Sequence, residues 1–136
     1  SYVDRLTGVL PQTAQGVLFT VTGRIRLLGI NGVVTVLTPA TANNGKLTAK
    51  PTVGADVDLC SVGSVASLAV GSGINITGTL ATAIQTNASG VLLDQAAPII
   101  VPAGSIDFVT TASVTGSIKW KIRYVPIDPG AMVIAA

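Results

Sequence analysis

The segment SIKWKIRYVP, residues 117–126, alternates between apolar and polar side chains. The apolar set is Ile118, Trp120, Ile122 and Tyr124, and the polar set is Ser117, Lys119, Lys121 and Arg123. A period of two residues is typical of a strand with one face on a hydrophobic core. The segment therefore predicts a strand with its aromatic side chains inside and three cations on the outer face.

The rest of the chain repeats this kind of pattern on a shorter scale. Apolar segments rich in Val, Ile and Thr recur about every ten residues between Gly, Pro and Asn turn signals, and no helical period persists. We predict an all-β fold, a single jelly-roll-like β-sandwich of about eight short antiparallel strands. Residues 1–15 are expected to form an N-terminal arm, and residues 16–136 the sandwich domain.

Three local predictions follow from turn and strand signals. Residues 16–30 form the longest candidate strand, with a bulge or bend at its glycines. Asn31-Gly32 comes directly after it and predicts a two-residue hairpin, because both central residues of that turn need positive φ. Residues 81–89 are compatible with one or two helical turns.

The expected core combines the inward positions of three segments. Its members are Phe19, Val21, Ile25, Leu27, Phe108, Ile118, Trp120 and Ile122. The other face of the long candidate strand carries Arg24 and Arg26, so five cations would share one surface if that strand lies beside residues 117–126. This basic stripe is defined as Arg24, Arg26, Lys119, Lys121 and Arg123.

The composition excludes several classes of function. The sequence has no His and no Glu, so Ser-His-Asp and Cys-His catalysis and His-based zinc sites are impossible. We therefore expect a protein that is not an enzyme and that needs no cofactor. Cys60 is the only cysteine, which favours a reducing compartment and a small buried side chain. No apolar run is long enough to span a membrane.

Two carboxylates, Asp56 and Asp58, lie two positions apart and would project from the same side of a strand. Such a pair could bind Ca²⁺, or it could be a polar outer face beside a turn. The sequence has no complete calcium loop around it, so the polar face is the preferred interpretation, and the catalytic and metal sites are both predicted to be absent.

The low charge content points to assembly. Only 10% of residues are charged, against about 25% in a typical soluble domain, and the net charge is +2. A surface with so few charged side chains on a small protein favours coverage by partner proteins. The aromatic residues beside the basic stripe point to the opposite face, and sheets that bind nucleic acid usually pair cations with exposed aromatics. A protein neighbour or solvent is therefore the expected contact of the stripe, and nucleic acid is not.

Several segments resemble small all-β virion proteins of tailed bacteriophages, the capsid cement or decoration proteins. They are LPQTAQGVLFTVTGRIRLLGI (10–30), KPTVGADVDLC (50–60), INITGTLA (74–81), PIIVPAGSIDF (98–108) and GSIKWKIRYVPIDPGA (116–131). The resemblance covers about residues 8 to 131. It implies a structural protein of the capsid surface, made in the host bacterial cytoplasm, usually a homotrimer. The implied partner is the major capsid protein, and no active-site residues carry over.

A receptor- or glycan-binding module of a head fibre or tail is the alternative. Such a module should present exposed aromatics for stacking on sugars, whereas Trp120 is predicted to lie in the core.

Overall fold

The computed structural model describes residues 1–11 and 16–136, which form two antiparallel sheets of six strands each. The predicted all-β, single-domain sandwich is confirmed. The described residues contain twelve strands rather than about eight, because several segments pair over only two or three residues. None of them forms a helix, and so none forms a helix that could cross a membrane.

The first sheet carries the segment on which the fold prediction depends. Its strands are β1 (Tyr2–Leu6), β3 (Ile25–Val36), β7 (Gly73–Asn75), β8 (Gln85–Asn87), β9 (Ile99–Val101) and β11 (Ser117–Pro126). They are ordered β1-β11-β3-β7-β8, and β9 pairs with the other end of β3. Strand β11 is therefore an interior strand, with β1 on one side and β3 on the other.

The second sheet closes the other side of the core. Its strands are β2 (Val17–Thr22), β4 (Asn44–Pro51), β5 (Val57–Asp58), β6 (Gly63–Ser64), β10 (Gly104–Thr110) and β12 (Met132–Ala135). They are ordered β12-β2-β10-β4-β5, with β6 also paired to β4. All eight predicted core residues are buried between the sheets. The Phe108 ring of β10 meets the Trp120 ring of β11, with centroids 5.1 Å apart and planes at 57°.

The long candidate strand, residues 16–30, is in fact two strands in different sheets. Strand β2 ends at Thr22, and Gly23 turns the chain at a φ of +68°, a value that favours glycine. Strand β3 then begins at Ile25 in the opposite sheet. The alternation of apolar and polar residues continues from β2 into β3 because both strands direct their apolar side chains toward the same core.

The predicted hairpin at Asn31-Gly32 is wrong, because both residues lie inside β3. Gly32 is paired with Trp120 of β11. A Cβ at Gly32 would lie 2.7 Å from Ile118 Cγ2 and 3.1 Å from the indole ring. Glycine is needed at this position because any side chain would collide with Ile118 and with the Trp120 ring. Glycines inside strands often mark such close approaches.

Two other predicted segments also differ. The arm predicted at residues 1–15 is part of the sandwich wherever it is described, since β1 pairs with β11 and Leu10 is fully buried. Residues 12–15 lie outside the described residues. The segment 81–89, for which helical turns were considered, contains strand β8 instead.

Candidate functional site: the outer face of the first sheet

Three cations of the basic stripe project from the outer side of β11. The side chains of Lys119, Lys121 and Arg123 are 53%, 51% and 42% exposed. Strand β11 pairs with β3, as the stripe prediction requires. Alternation along β11 is what separates these cations from the buried residues between them.

Each of these cations has a carboxylate of the same chain within 4 Å. Lys119 and Lys121 share Asp4 of β1, each at 3.8 Å, and Arg123 lies 3.6 Å from Asp94. Three cations against two carboxylates leave one net positive charge along the strand. Exposed ion pairs of this kind contribute about 0–1 kcal/mol each, so these contacts can be exchanged for a partner's carboxylate at little cost.

The two remaining members of the stripe have different positions. Arg24 lies in the turn between β2 and β3, where its guanidinium and backbone N–H donate hydrogen bonds to Asp128 at 2.9–3.2 Å. These bonds, the side-chain bond first, lower the pKa of the Asp128 carboxyl below its ordinary value. Arg26 is exposed on β3 next to Val125 of β11. The expected group of five cations on one sheet face is therefore four.

The aromatic residues are divided unequally between the core and the surface. Trp120, Tyr124, Phe19 and Phe108 are buried, whereas Tyr2 of β1 is 66% exposed. The ring of Tyr2 lies beside the stripe, with Lys121 Nζ 5.8 Å from its centroid. One ring next to three cations is a small stacking surface for a nucleic acid strand or a sugar chain.

Sequence reasoning missed Tyr2, Asp4 and Asp94 as parts of this surface. A signal for the first two exists in YVDRL, residues 2–6, which alternates like a strand although it was expected to be an arm. Asp94 comes from a loop that follows β8, and no local pattern predicts its approach to Arg123.

A groove of ≈ 400 Å³ lies beside the stripe on the same face. Its polar lining comes from Asn31 of β3, Asn75 of β7 and Asp94, and its apolar lining from Val33 and Leu92. The Asn75 amide donates a hydrogen bond to the Leu93 carbonyl at 2.7 Å, which ties the loop after β8 to the sheet. The groove therefore offers amide and carboxylate groups beside two aliphatic side chains.

The Asp56–Asp58 pair does not form a convergent carboxylate site. Asp58 accepts hydrogen bonds from Lys46 Nζ at 2.9 Å and Thr48 Oγ1 at 3.1 Å, so its oxygens are already engaged. No cluster of three or more acidic, Cys or His residues suited to a metal occurs in residues 1–11 and 16–136. Cys60 is fully buried, and this burial raises the pKa of its thiol.

Comparison with known proteins identifies no relative: no family model, no curated protein and no solved structure matches this chain.

Proposed function

We propose that this chain is a structural virion protein of a tailed bacteriophage, a capsid cement or decoration protein that binds the outer surface of the major capsid shell and stabilises it. One observation carries the proposal beyond the resemblance: the surface is apolar and its charges are mostly used internally. Nineteen large hydrophobic side chains are exposed in the described part of the chain. Six of the eight cations in the described residues are paired with carboxylates of the same chain, so few free charges are left to keep it apart from partners.

The outer side of β11 is the proposed contact with the shell. Lys119 and Lys121 share the single carboxylate of Asp4, which cannot neutralise both of them. An acidic patch on a capsid subunit could therefore form an ion pair with one of the two lysines. Contacts of this type set orientation and association rate more than affinity. Apolar side chains on the same face, among them Tyr2 and Leu6 of β1, would supply the buried area.

The same features argue against nucleic acid as the partner. The five cations of the stripe face three carboxylates of the same chain, so the stripe retains two net positive charges, and affinity for phosphate backbones grows with the number of phosphates neutralised. A protein that binds DNA through this face would need more unpaired cations than β11 offers. Neither an enzymatic activity nor a cofactor forms part of the proposal.

A glycan-binding module of a fibre or tail is the second candidate, and the groove beside the stripe is the observation that favours it. The amide and carboxylate groups of its lining are suited to sugar hydroxyls. Stacking would depend on Tyr2 alone, because the other described aromatics are buried. This candidate predicts that Asn31→Ala and Asp94→Ala abolish binding to a glycan array, whereas the capsid proposal predicts no such binding.

The test is quantification of this chain in purified particles, followed by cosedimentation with shells that lack it. The shell role predicts a copy number on the order of hundreds, whereas a tail or fibre role predicts on the order of ten. Replacing Lys119, Lys121 and Arg123 together by Gln should weaken cosedimentation most at low salt.

Lys46→Gln, which removes a cation from the opposite sheet, is the matched control and should bind shells normally. A low copy number would contradict the proposed position on the capsid shell. Shell binding that the triple change leaves unaffected at every salt concentration would contradict the proposed contact surface.

A further inference from the structure

Among the residues that the structure describes, two exposed charged side chains lack an ion-pair partner. Five of the six carboxylates have a cation within 4.0 Å, and the exception among the described residues is Asp56. Of the cations in residues 1–11 and 16–136, Arg5 and Arg26 lack a carboxylate within that distance, and the Arg5 guanidinium instead donates a hydrogen bond to the Leu6 carbonyl. Arg26 and Asp56 are therefore opposite charges that the fold has left exposed and unmatched.

Arg26 lies in the middle of an apolar row. Its cross-strand neighbours are Ile100 of β9 and Val125 of β11, which are 60% and 46% exposed. An arginine between two aliphatic side chains is typical of the centre of a protein interface, where arginine is enriched and other charges are depleted. We call Ile100, Arg26 and Val125 the arginine row.

Asp56 belongs to a loop of complementary character. Residues 52–56 join β4 to β5 and are all exposed, with Val53 at 89%. The base of this loop is held, since Thr52 donates from its backbone N–H and its hydroxyl to the Ala103 carbonyl at 2.9 and 3.0 Å. The loop therefore presents an aliphatic side chain and a carboxylate from a fixed base, which lowers the entropy cost of binding.

We propose that the arginine row of one copy binds the 52–56 loop of a second copy, with Asp56 against Arg26 and Val53 against the aliphatic neighbours. A second copy is favoured over another protein because each copy carries both halves of the contact, and the charge of each half lacks an ion-pair partner in the part of the chain that the structure describes. The proposal refines the homotrimer expected with the capsid role, and in that sense it rests on the proposed function.

The two halves are close enough in the fold to share one side of the molecule. Ile100 lines a small apolar groove together with Val57, which directly follows Asp56, and with Pro51, which precedes the loop. Either a twofold contact or a ring around a threefold axis would use both halves in every copy and would close without a free end. The neighbouring cations of β11 remain outside this contact.

Charge reversal tests the pairing in purified protein. Sedimentation velocity over a concentration series should show association of the wild type, and Arg26→Asp or Asp56→Arg alone should weaken it by at least about tenfold, since each puts like charges together. The double variant, Arg26→Asp with Asp56→Arg, should restore association because it exchanges the two charges. Thermal melts should show all three variants folded.

A second pair of variants tests the apolar part. Val53→Ser should weaken association, and Val91→Ser, at a valine that is 73% exposed in another loop, is the matched control and should not. A wild type that stays monomeric up to about 100 μM, single reversals without effect, or a double variant that stays monomeric would each overturn the pairing. These results need no capsid, so the capsid role can fail while the self-association holds, and the reverse.

Discussion

The inner and outer sides of β11 share one backbone but differ in how tightly their side chains contact the rest of the molecule. On the inner side, Trp120 is fully buried, with its ring 5.1 Å from that of Phe108 in the other sheet. On the outer side, Lys119 and Lys121 are about half exposed and 3.8 Å from one shared carboxylate. The difference teaches that stability comes from one side of this strand, which leaves the other free to change for recognition.

The largest expected effect lies on the inner side. Trp120→Ala should lower the free energy of unfolding by about 3–5 kcal/mol, because it empties the contact between the two sheets. Urea denaturation monitored by circular dichroism measures this loss. Tyr2→Ala, at an exposed ring of the neighbouring strand, should cost under about 0.5 kcal/mol. Equal losses in the two variants would remove the contrast between the sides of the sheet.

Two glycines of β3 test the same contrast at the level of one methyl group. Gly32→Ala should cost about 1–3 kcal/mol, since its Cβ would lie 2.7 Å from Ile118 Cγ2 and 3.1 Å from the Trp120 ring. Gly29→Ala places its Cβ 3.5 Å from Asp94 Oδ1, an ordinary contact, and should change stability by about 0.5 kcal/mol or less. Denaturant midpoints of both variants give the answer, and a costlier change at Gly29 would contradict the assignment of sides.

On the outer side, the triple replacement of Lys119, Lys121 and Arg123 by Gln should leave the fold nearly unaffected. The expected change in unfolding free energy is about 1 kcal/mol or less in total, because the three pairs are exposed and longer than 3.5 Å. Denaturation at low and high salt measures it. A loss comparable to that of Trp120→Ala would mean that the stripe stabilises the sheet and is not free for a partner.

The smallest expected effect concerns the ion pair between Arg24 and Asp128, which lies in the turn between β2 and β3 and not on the face of the first sheet. Because the folded-state pKa of Asp128 is lowered, its contribution is present above the ordinary pKa of an aspartate and is lost as the pH falls through the folded-state value. Melting temperatures of wild type and Asp128→Asn should therefore differ near neutral pH and converge as the pH falls through the lowered pKa of Asp128. Arg24→Gln should show the same convergence, and a gap that stays constant with pH would exclude this linkage.

How much of this the sequence could predict depends on where the deciding contact lies. The alternation in residues 117–126 is local, so it correctly predicted the strand and the burial of Trp120. The turn between β2 and β3 was misplaced because Asn31-Gly32 is a stronger local turn signal than Gly23-Arg24. Gly32 lies inside a strand because it pairs with Trp120, and Trp120 is 88 positions away from Gly32 in the chain.

For the surface charges too, local sequence patterns predicted more than could be predicted of contacts between distant residues. The cations of β11 could be assigned to an outer face from their spacing alone, but their neutralisation by Asp4 and Asp94 depends on a distant strand and a loop. The sequence thus predicted a more positive face than the fold produces. Composition, in contrast, is independent of pairing, and the absence of His and Glu excluded the same chemistry before and after folding.

The pairing of β1 with β11 and of β12 with β2 bears on the order of events at the ribosome. Tyr2 pairs with Arg123, and Val21 pairs with Val133, separations of 121 and 112 residues. Neither pairing can form until most of this sequence has been translated, and folds dominated by such distant pairings form slowly, in about milliseconds to seconds. During that interval β2 and β3 present open edges to neighbouring nascent chains, which makes the rate of synthesis and the local crowding of polysomes determinants of yield.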